Sequence, residues 1–551
     1  MLVPASAPSR DSSPAPALSM TVHTRTRTRI RIRTGAVALI ALSQAVAFGC
    51  GGQPSSGDAS MAPAPSTSVE APAVDELASE SAKDALYAIL DASWERSMRR
   101  YPGWATYEGD RRYDDQVYDP SEPAREAYIV EGADLVEQMR AIASTSLEPV
   151  DQDTQRMYIA SWERRRARDV CRSHEWSVDG LGGPQVDWPM MPVFHTIRTQ
   201  DDVANLARRY EQLGGVMDET IANLERGLAS GLAATEENVR RALGQTDALL
   251  ATPIDDDPML TLKPEEEGDA FDTAPLRAAL ERHVRPALER YRDFLRDHVT
   301  PAARTEVGVS ALPIGAQCYE AQMAGHIGPG FNATDVHQLG IEQLEWAHNG
   351  MMQVAEELGL EMADAQEMID WMRDNPGSYT DDEDELLALN AVAVEHATGL
   401  MHEAFGRLPQ ADVIVEPIEE YRAADAPAAY YNSPPEDGSR PGIYYVNLHQ
   451  PQTRPLYNLE ALAYHEAIPG HHLQLAIAGE LPNTHSWRRS AGQTAFVEGW
   501  ALYAEVLADE LGWYTSPEAR FGMYNYQAWR ASRLVVDTGM HALGWTRAEA
   551  L

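Results

Sequence analysis

Residues 464–474, Tyr-His-Glu-Ala-Ile-Pro-Gly-His-His-Leu-Gln, constrain this chain more than any other stretch. They cannot form one straight helix and still perform the chemistry that their side chains suggest. His465, Glu466, His471 and His472 fall within eight residues. Neutral imidazoles are the usual ligands of zinc, and a carboxylate beside the first is what a zinc-activated water needs to lose its proton. In the common zinc-peptidase helix the two histidines lie four residues apart and share a face. Here His465 and His471 are six apart, about 240° around an ideal helix. His472, seven away, returns to the face but about 10 Å further along the axis. Pro469 has no N–H to give to the His465 carbonyl and its ring clashes there, while Gly470 tolerates unusual dihedrals. The Pro-Gly pair is expected to kink or bulge the helix by about two residues and return His471 to the side of His465.

Downstream, Phe496-Val-Glu-Gly-Trp-Ala-Leu-Tyr-Ala-Glu505 is compatible with a helix and carries two more carboxylates. Two imidazoles, a general base and a later glutamate are the parts of a zinc hydrolase. The runs 465–474 and 497–505 resemble the bacterial family catalogued as domain of unknown function 885. So do Tyr431-Asn-Ser-Pro-Pro-Glu-Asp-Gly-Ser-Arg-Pro-Gly-Ile-Tyr-Tyr-Val-Asn447 and Arg533-Leu-Val-Val-Asp-Thr-Gly-Met-His-Ala-Leu-Gly-Trp545. The resemblance covers most of the chain from about residue 80, with its specific motifs toward the C-terminus. Members are similar to largely helical zinc peptidases of the oligopeptidase and carboxypeptidase Taq type. The fold implied is mainly α: a large, two-lobed, zincin-like catalytic domain with a small β-element beside the cleft.

Carried over by position, the resemblance makes His465 and His471 zinc ligands and Glu466 the base that activates water. Glu498 becomes the third protein ligand, leaving one coordination position open. Glu505, seven residues on, is the weaker candidate and could instead orient a histidine from behind. His472 reads as a neighbour of the site rather than a ligand, and Gln474 as a residue that caps or positions a neighbour. A peptidase also needs donors for the oxyanion formed when water attacks the carbonyl. Candidates are His541 and Arg533, eight apart on one side of a helix, and Tyr445. Tyr445 lies in Gly442-Ile-Tyr-Tyr-Val-Asn-Leu448, which reads as a strand. In peptidases of this kind an edge strand pairs with the extended substrate backbone.

The N-terminus speaks to location. Arg25, Arg27, Arg29, Arg31 and Arg33 precede an apolar run from Gly35 to Phe48, the pattern of a secretory signal. That run falls short of the ~20 residues needed to span a bilayer. Cys50 follows a small residue and resembles a bacterial lipoprotein cleavage site. Residues 1–49 are therefore expected to be a signal peptide. Residues 50–80 would form a lipidated start and a disordered Ala/Pro/Ser/Gly linker, and 81–551 the helical metallopeptidase-like domain. The absence of aspartate after Cys50 favours the outer membrane, with plain secretion as the alternative. Family members generally continue beyond Leu551, so the C-terminus is expected to be cut short just after the capping box Thr546-Arg-Ala-Glu549.

Within the body, Val336, Leu339, Leu344, Ala347, Met351, Val354 and Leu358 recur at three- and four-residue steps, predicting a helix over 334–358 stopped by Gly359. Val413-Ile-Val-Glu-Pro417 and the segment around Tyr444 are the best strands. The formal charge is −39, near −44 once residues 1–49 with their six arginines and one aspartate are removed. Such a balance argues against nucleic acid as a partner, because no basic face stands out in the sequence to displace counterions from phosphate. Cys171 and Cys318 could pair in an oxidising compartment or remain separate buried thiols. Three readings remain open. The first is a tethered zinc peptidase acting on peptides. The second is a zinc hydrolase acting on another amide, including cell-wall amides. The third is a binding lipoprotein that keeps the fold without catalysis.

Overall fold

Helical periodicity takes over the chain from Ala82. The computed structural model describes residues 82–551 apart from 266–267, 269, 419–422, 424–425, 435–439, 483–484, 486 and 489–490. The signal peptide, Cys50 and the linker lie outside the described residues. The protein is mainly α, with a two-residue parallel strand pair and one three-stranded sheet. All described residues belong to a single contact unit. Among them, no helix is long and apolar enough to cross a membrane.

Helices α1 (Ala82–Arg100), α2 (Glu122–Ala141) and α3 (Pro149–Ala167) share one core, in which Leu86, Ile89 and Leu90 meet Val136, Met139 and Tyr158. Arg96 is buried between α1 and α2, donates to the Tyr128 carbonyl at 2.7 Å and stacks on the Tyr128 ring. A second core forms around α4 (Gln200–Ala229), α5 (Glu236–Ala251) and the helical run 274–299. α4 opens with a capping box, Thr199 with Asp202. It buries Val203, Leu206, Tyr210, Leu213 and Met217 on one face, as its apolar period dictates. Cys171 and Cys318, at the start of α6 (Gly315–Ile327), are joined in a disulfide, which resolves the sequence-level choice between pairing and separate thiols.

The remaining helices build the site. α7 (Ala333–Glu357) matches the helix expected over 334–358. It is capped by Asn332, whose side chain accepts from the Asp335 N–H, and is followed by Gly359 at φ 70°. Its packing seam differs from the leucine count, however. Leu339 is exposed, and the buried positions include Gly340 and Gly350. A Cβ at Gly340 would lie 2.8 Å from Val535, and one at Gly350 would collide with the Tyr524 ring. Glycine lets this helix approach its neighbour closely, and hydrophobicity patterns do not register that.

The helix α8 (Glu383–Ala404) leads into β1 (Val413–Pro417), β2 (Ala429–Asn432) and β3 (Gly442–Val446). β3 is the centre of the sheet, parallel to β1 and antiparallel to β2, with Tyr430 opposite Tyr445 and Tyr431 opposite Tyr444. The expected edge strand is thus a central one. Its backbone is paired on both sides, so it is not the strand that accepts an extended substrate. Four helices complete the chain's site region: α9 (Leu459–Glu466), α10 (His471–Gly479), α11 (Thr494–Glu510) and α12 (Pro517–His541). α12 packs along α7, and α9 lies against α8, α11 and α12.

Candidate metal centre

The Pro-Gly interruption is sharper than a kink. α9 ends at Glu466 and α10 starts at His471, with Ala467 and Gly470 at ψ −95° and −124° and a cis bond before Pro469. A Cβ on Gly470 would collide with the carbonyl oxygens of His465 and Tyr464, so the turn requires glycine there. The turn is held from outside. Trp500 Nε1–H donates to the Pro469 carbonyl at 2.9 Å, and the His472 N–H donates to the Ala467 carbonyl at 3.1 Å. The outcome is the one the spacing demanded: the His465 and His471 rings meet edge to face with centroids 4.9 Å apart.

Glu498, on the second turn of α11, completes the cluster. One donor atom from each of His465, His471 and Glu498 lies within 4.8 Å of the others. Glu498 Oε2 is 3.6 Å from His465 Nε2, and its Oε1 is 3.9 Å from His471 Nε2. Gln474 helps to place it, donating from α10 to the Phe496 carbonyl at 3.2 Å. Glu505, two turns further along α11, is fully buried where the Glu498 side chain is 57 % exposed. It accepts from His465 Nδ1–H at 2.8 Å and from Gln527 at 3.1 Å. That bond fixes the tautomer of His465 and turns Nε2 toward Glu498 and His471. Two neutral imidazoles and a carboxylate, with a buried glutamate behind one imidazole, form a donor set that fits zinc.

The electrostatics follow from burial and from these carboxylates. Burial opposes a charge on His465, but the neighbouring carboxylates of Glu498 and Glu505 outweigh it and hold the ring up at about 9. The two acids favour positive charge at that ring, whether a proton or a metal carries it. His471, buried and beside His465, is pushed down to about 4. Glu498 is lowered, chiefly by the nearby His465 ring. Glu466 retains some solvent contact but is crowded by protein, and desolvation raises its carboxyl to about 7 against the opposing pull of His465.

Each of the predicted oxyanion donors has other partners. His541 ends α12, accepts from the Val309 N–H at 3.1 Å and stacks on Tyr319. Tyr445 is buried against Tyr430, ring centroids 4.8 Å apart, on the sheet face opposite Tyr444. Arg533 is exposed and lies over the Trp529 ring. The cation at the cluster is Arg530, which sequence reasoning missed. Its NH1 pairs with Glu505 at 3.2 Å and its NH2 lies 3.1 and 3.3 Å from the two ring nitrogens of His465. Because His465 Nδ1–H points at Glu505, the charge partner of Arg530 is Glu505 rather than the ring. His541 stands eleven residues beyond Arg530 on the same helix, about 16 Å along the axis, too far to share its site. The missed signal was helical phase. Arg530 follows Gln527 by three and Tyr526 by four, on the side of α12 that faces α11.

His472 is a clamp. Its Nε2–H donates to the Ala411 carbonyl at 3.0 Å and its Nδ1 accepts from Tyr431 at 2.8 Å, so both nitrogens are committed and α10 is tied to the sheet.

The architecture is similar to that of a candidate lipoprotein from Colwellia psychrerythraea, with TM-score 0.73, 23% identity and 85% of both chains covered. It is also similar to a candidate lipoprotein of unknown function from Shewanella oneidensis, with TM-score 0.65 and 16% identity over 84% of this chain and 85% of that one. Among curated proteins, none matches the sequence. The model of a family described as bacterial protein of unknown function, DUF885, matches residues 102–551, and the chain belongs to that family.

Proposed function

We propose that this protein is a zinc-dependent hydrolase that cleaves peptides in the bacterial cell envelope. The observation that carries the reading is the convergence of His465, His471 and Glu498, with Glu505 behind His465. Zinc held there would polarise a substrate carbonyl and activate a water for attack. Glu466, next to His465 in sequence and within the electrostatic reach of Glu498, Arg530 and Glu505, takes the water's proton and returns it to the leaving amine. Arg530 sets a positive charge beside the cluster, where negative charge develops on the carbonyl oxygen. Glu505 keeps His465 in the ligating tautomer.

Envelope location is supported by the signal-like start, by Cys50, by the lipoprotein descriptions of the two similar structures, and by the Cys171–Cys318 bridge, which suits an oxidising compartment. The test is metal analysis of the purified protein together with a mixed-peptide digest, with and without chelator. Glu466→Gln is expected to retain the metal and lose about 100-fold or more of the cleavage rate. Chelator-insensitive behaviour, or unchanged turnover in Glu466→Gln, defeats the reading.

A further inference from the structure

The side of α12 that carries Arg530 runs from the cluster out to solvent at Trp529 and Arg533. Tyr526, Trp529, Arg530 and Arg533 follow one another at three, one and three residues and share one side of the helix. Trp529 is 53% exposed, with the guanidinium carbons of Arg530 and Arg533 5.6 and 5.2 Å from its ring. The two arginines differ in engagement. Arg530 is tied to Glu505, whereas Arg533 is exposed and has no ion-pair partner among the described residues. Asp537, one turn further on, accepts instead from the Tyr319 hydroxyl at 2.6 Å. An arginine resting over an exposed tryptophan, in a chain of formal charge −39, is already partly ordered and has less freedom left to lose on binding an anion.

We propose that Arg533, with Trp529 and Arg530, forms a subsite for a carboxylate of the substrate and directs cleavage to a bond close to that carboxylate. This rests on the hydrolase reading for its substrate. Arg533 lies one turn, about 4.5 Å of helix rise, from Arg530, which touches His465. The Trp529 ring lies 5.6 Å from the Arg530 guanidinium and 5.2 Å from that of Arg533, so the two charges are within about 11 Å of each other; a peptide advances about 3.3–3.6 Å per residue, and a carboxylate at Arg533 sits within about three residues of Arg530. Two sources supply that chemistry: the α-carboxylate that ends a short peptide and an acidic side chain near the cut. The guanidinium fork suits either, and Trp529 offers an apolar face to the residue that bears it.

The experiment uses one N-acetylated tetrapeptide sequence in three forms: free acid, carboxamide, and carboxamide with glutamate as last residue. Binding is measured by calorimetry to the zinc-loaded Glu466→Gln protein, and cleavage with the zinc-loaded wild type. The free acid is expected to bind about tenfold tighter than the plain amide, the ratio that ~1.4 kcal/mol produces. Arg533→Gln should reduce that preference to about twofold or less, and Arg533→Lys should retain part of it, because a point charge replaces the fork. A glutamate-ended amide that equals the free acid shows that the site accepts either carboxylate. A weaker one identifies the chain end. Equal binding of acid and amide, binding of none of the three, or a preference that survives in Arg533→Gln overturns the subsite. A preserved acid preference with no cleavage of any form keeps the subsite and overturns the hydrolase reading.

Discussion

Glu505 accepts a hydrogen bond from His465 Nδ1–H at 2.8 Å, although the two residues lie forty positions apart and on different helices. The carboxylate is fully buried, is shared with Gln527 and Arg530, and faces the back of the imidazole whose other nitrogen points at His471 and Glu498. An acid buried at this depth persists because its neighbours satisfy it.

Replacing that acid tests its role directly. Glu505→Gln keeps the shape but removes the charge that orients and enriches His465. Metal affinity is expected to fall about 10–100-fold while the fold is retained, as read by competition against a fluorescent chelator and by circular dichroism. Unchanged affinity would show that Glu505 only fills space.

The turn between α9 and α10 offers a steric test. Gly470→Ala drives a Cβ into the His465 and Tyr464 carbonyl oxygens. It is expected to cost about 1–3 kcal/mol in urea unfolding and to lower bound metal at the same time, since His471 is moved. Gly479→Ala, at the far end of α10 where a Cβ meets nothing within 4 Å, is the control and should stay within about 0.5 kcal/mol.

Part of the acid sensitivity should arise away from the metal cluster. His195 is fully buried, its Nδ1 faces Arg209 at 3.4 Å, and Arg111, Asp114 and Asp202 surround it. Burial pushes it down from 6.5 to about 4. Between those values the unfolded chain binds a proton that the folded one does not. Stability from this group is therefore intact above about 6.5, falls as pH drops through the window, and levels off below about 4. His195→Gln should lose less stability between pH 7 and pH 4.5 than the wild type, measured by urea midpoints. An identical loss in the two proteins would remove His195 as a cause.

The disulfide ties positions 147 residues apart, from the turn that follows α3 to α6. A loop of that length predicts about 2–5 kcal/mol of stabilisation, mostly by restricting the unfolded chain. The double variant Cys171→Ala, Cys318→Ala should show that loss in chemical unfolding, and reduction of the wild type should reproduce it. A variant as stable as the oxidised protein would show that the bridge contributes nothing to stability.

Local chemistry made part of this protein readable from the chain alone. Pro469 and Gly470 forbid a continuous helix between His465 and His471, so a break there followed from backbone sterics, as did the helix over α7 and the strands at Val413 and Tyr444. What stayed hidden depends on which surfaces meet. Helical spacing places Glu498 and Glu505 on one face of α11, but only packing against α9 and α12 makes one an exposed partner of two imidazoles and the other a buried support. Likewise, the phase of α12 against α11 brings Arg530 to His465 and leaves Arg533 outside and His541 about 16 Å away. Burial and charge pairing are properties of assembled elements, and one strand of letters does not contain the distances that set them.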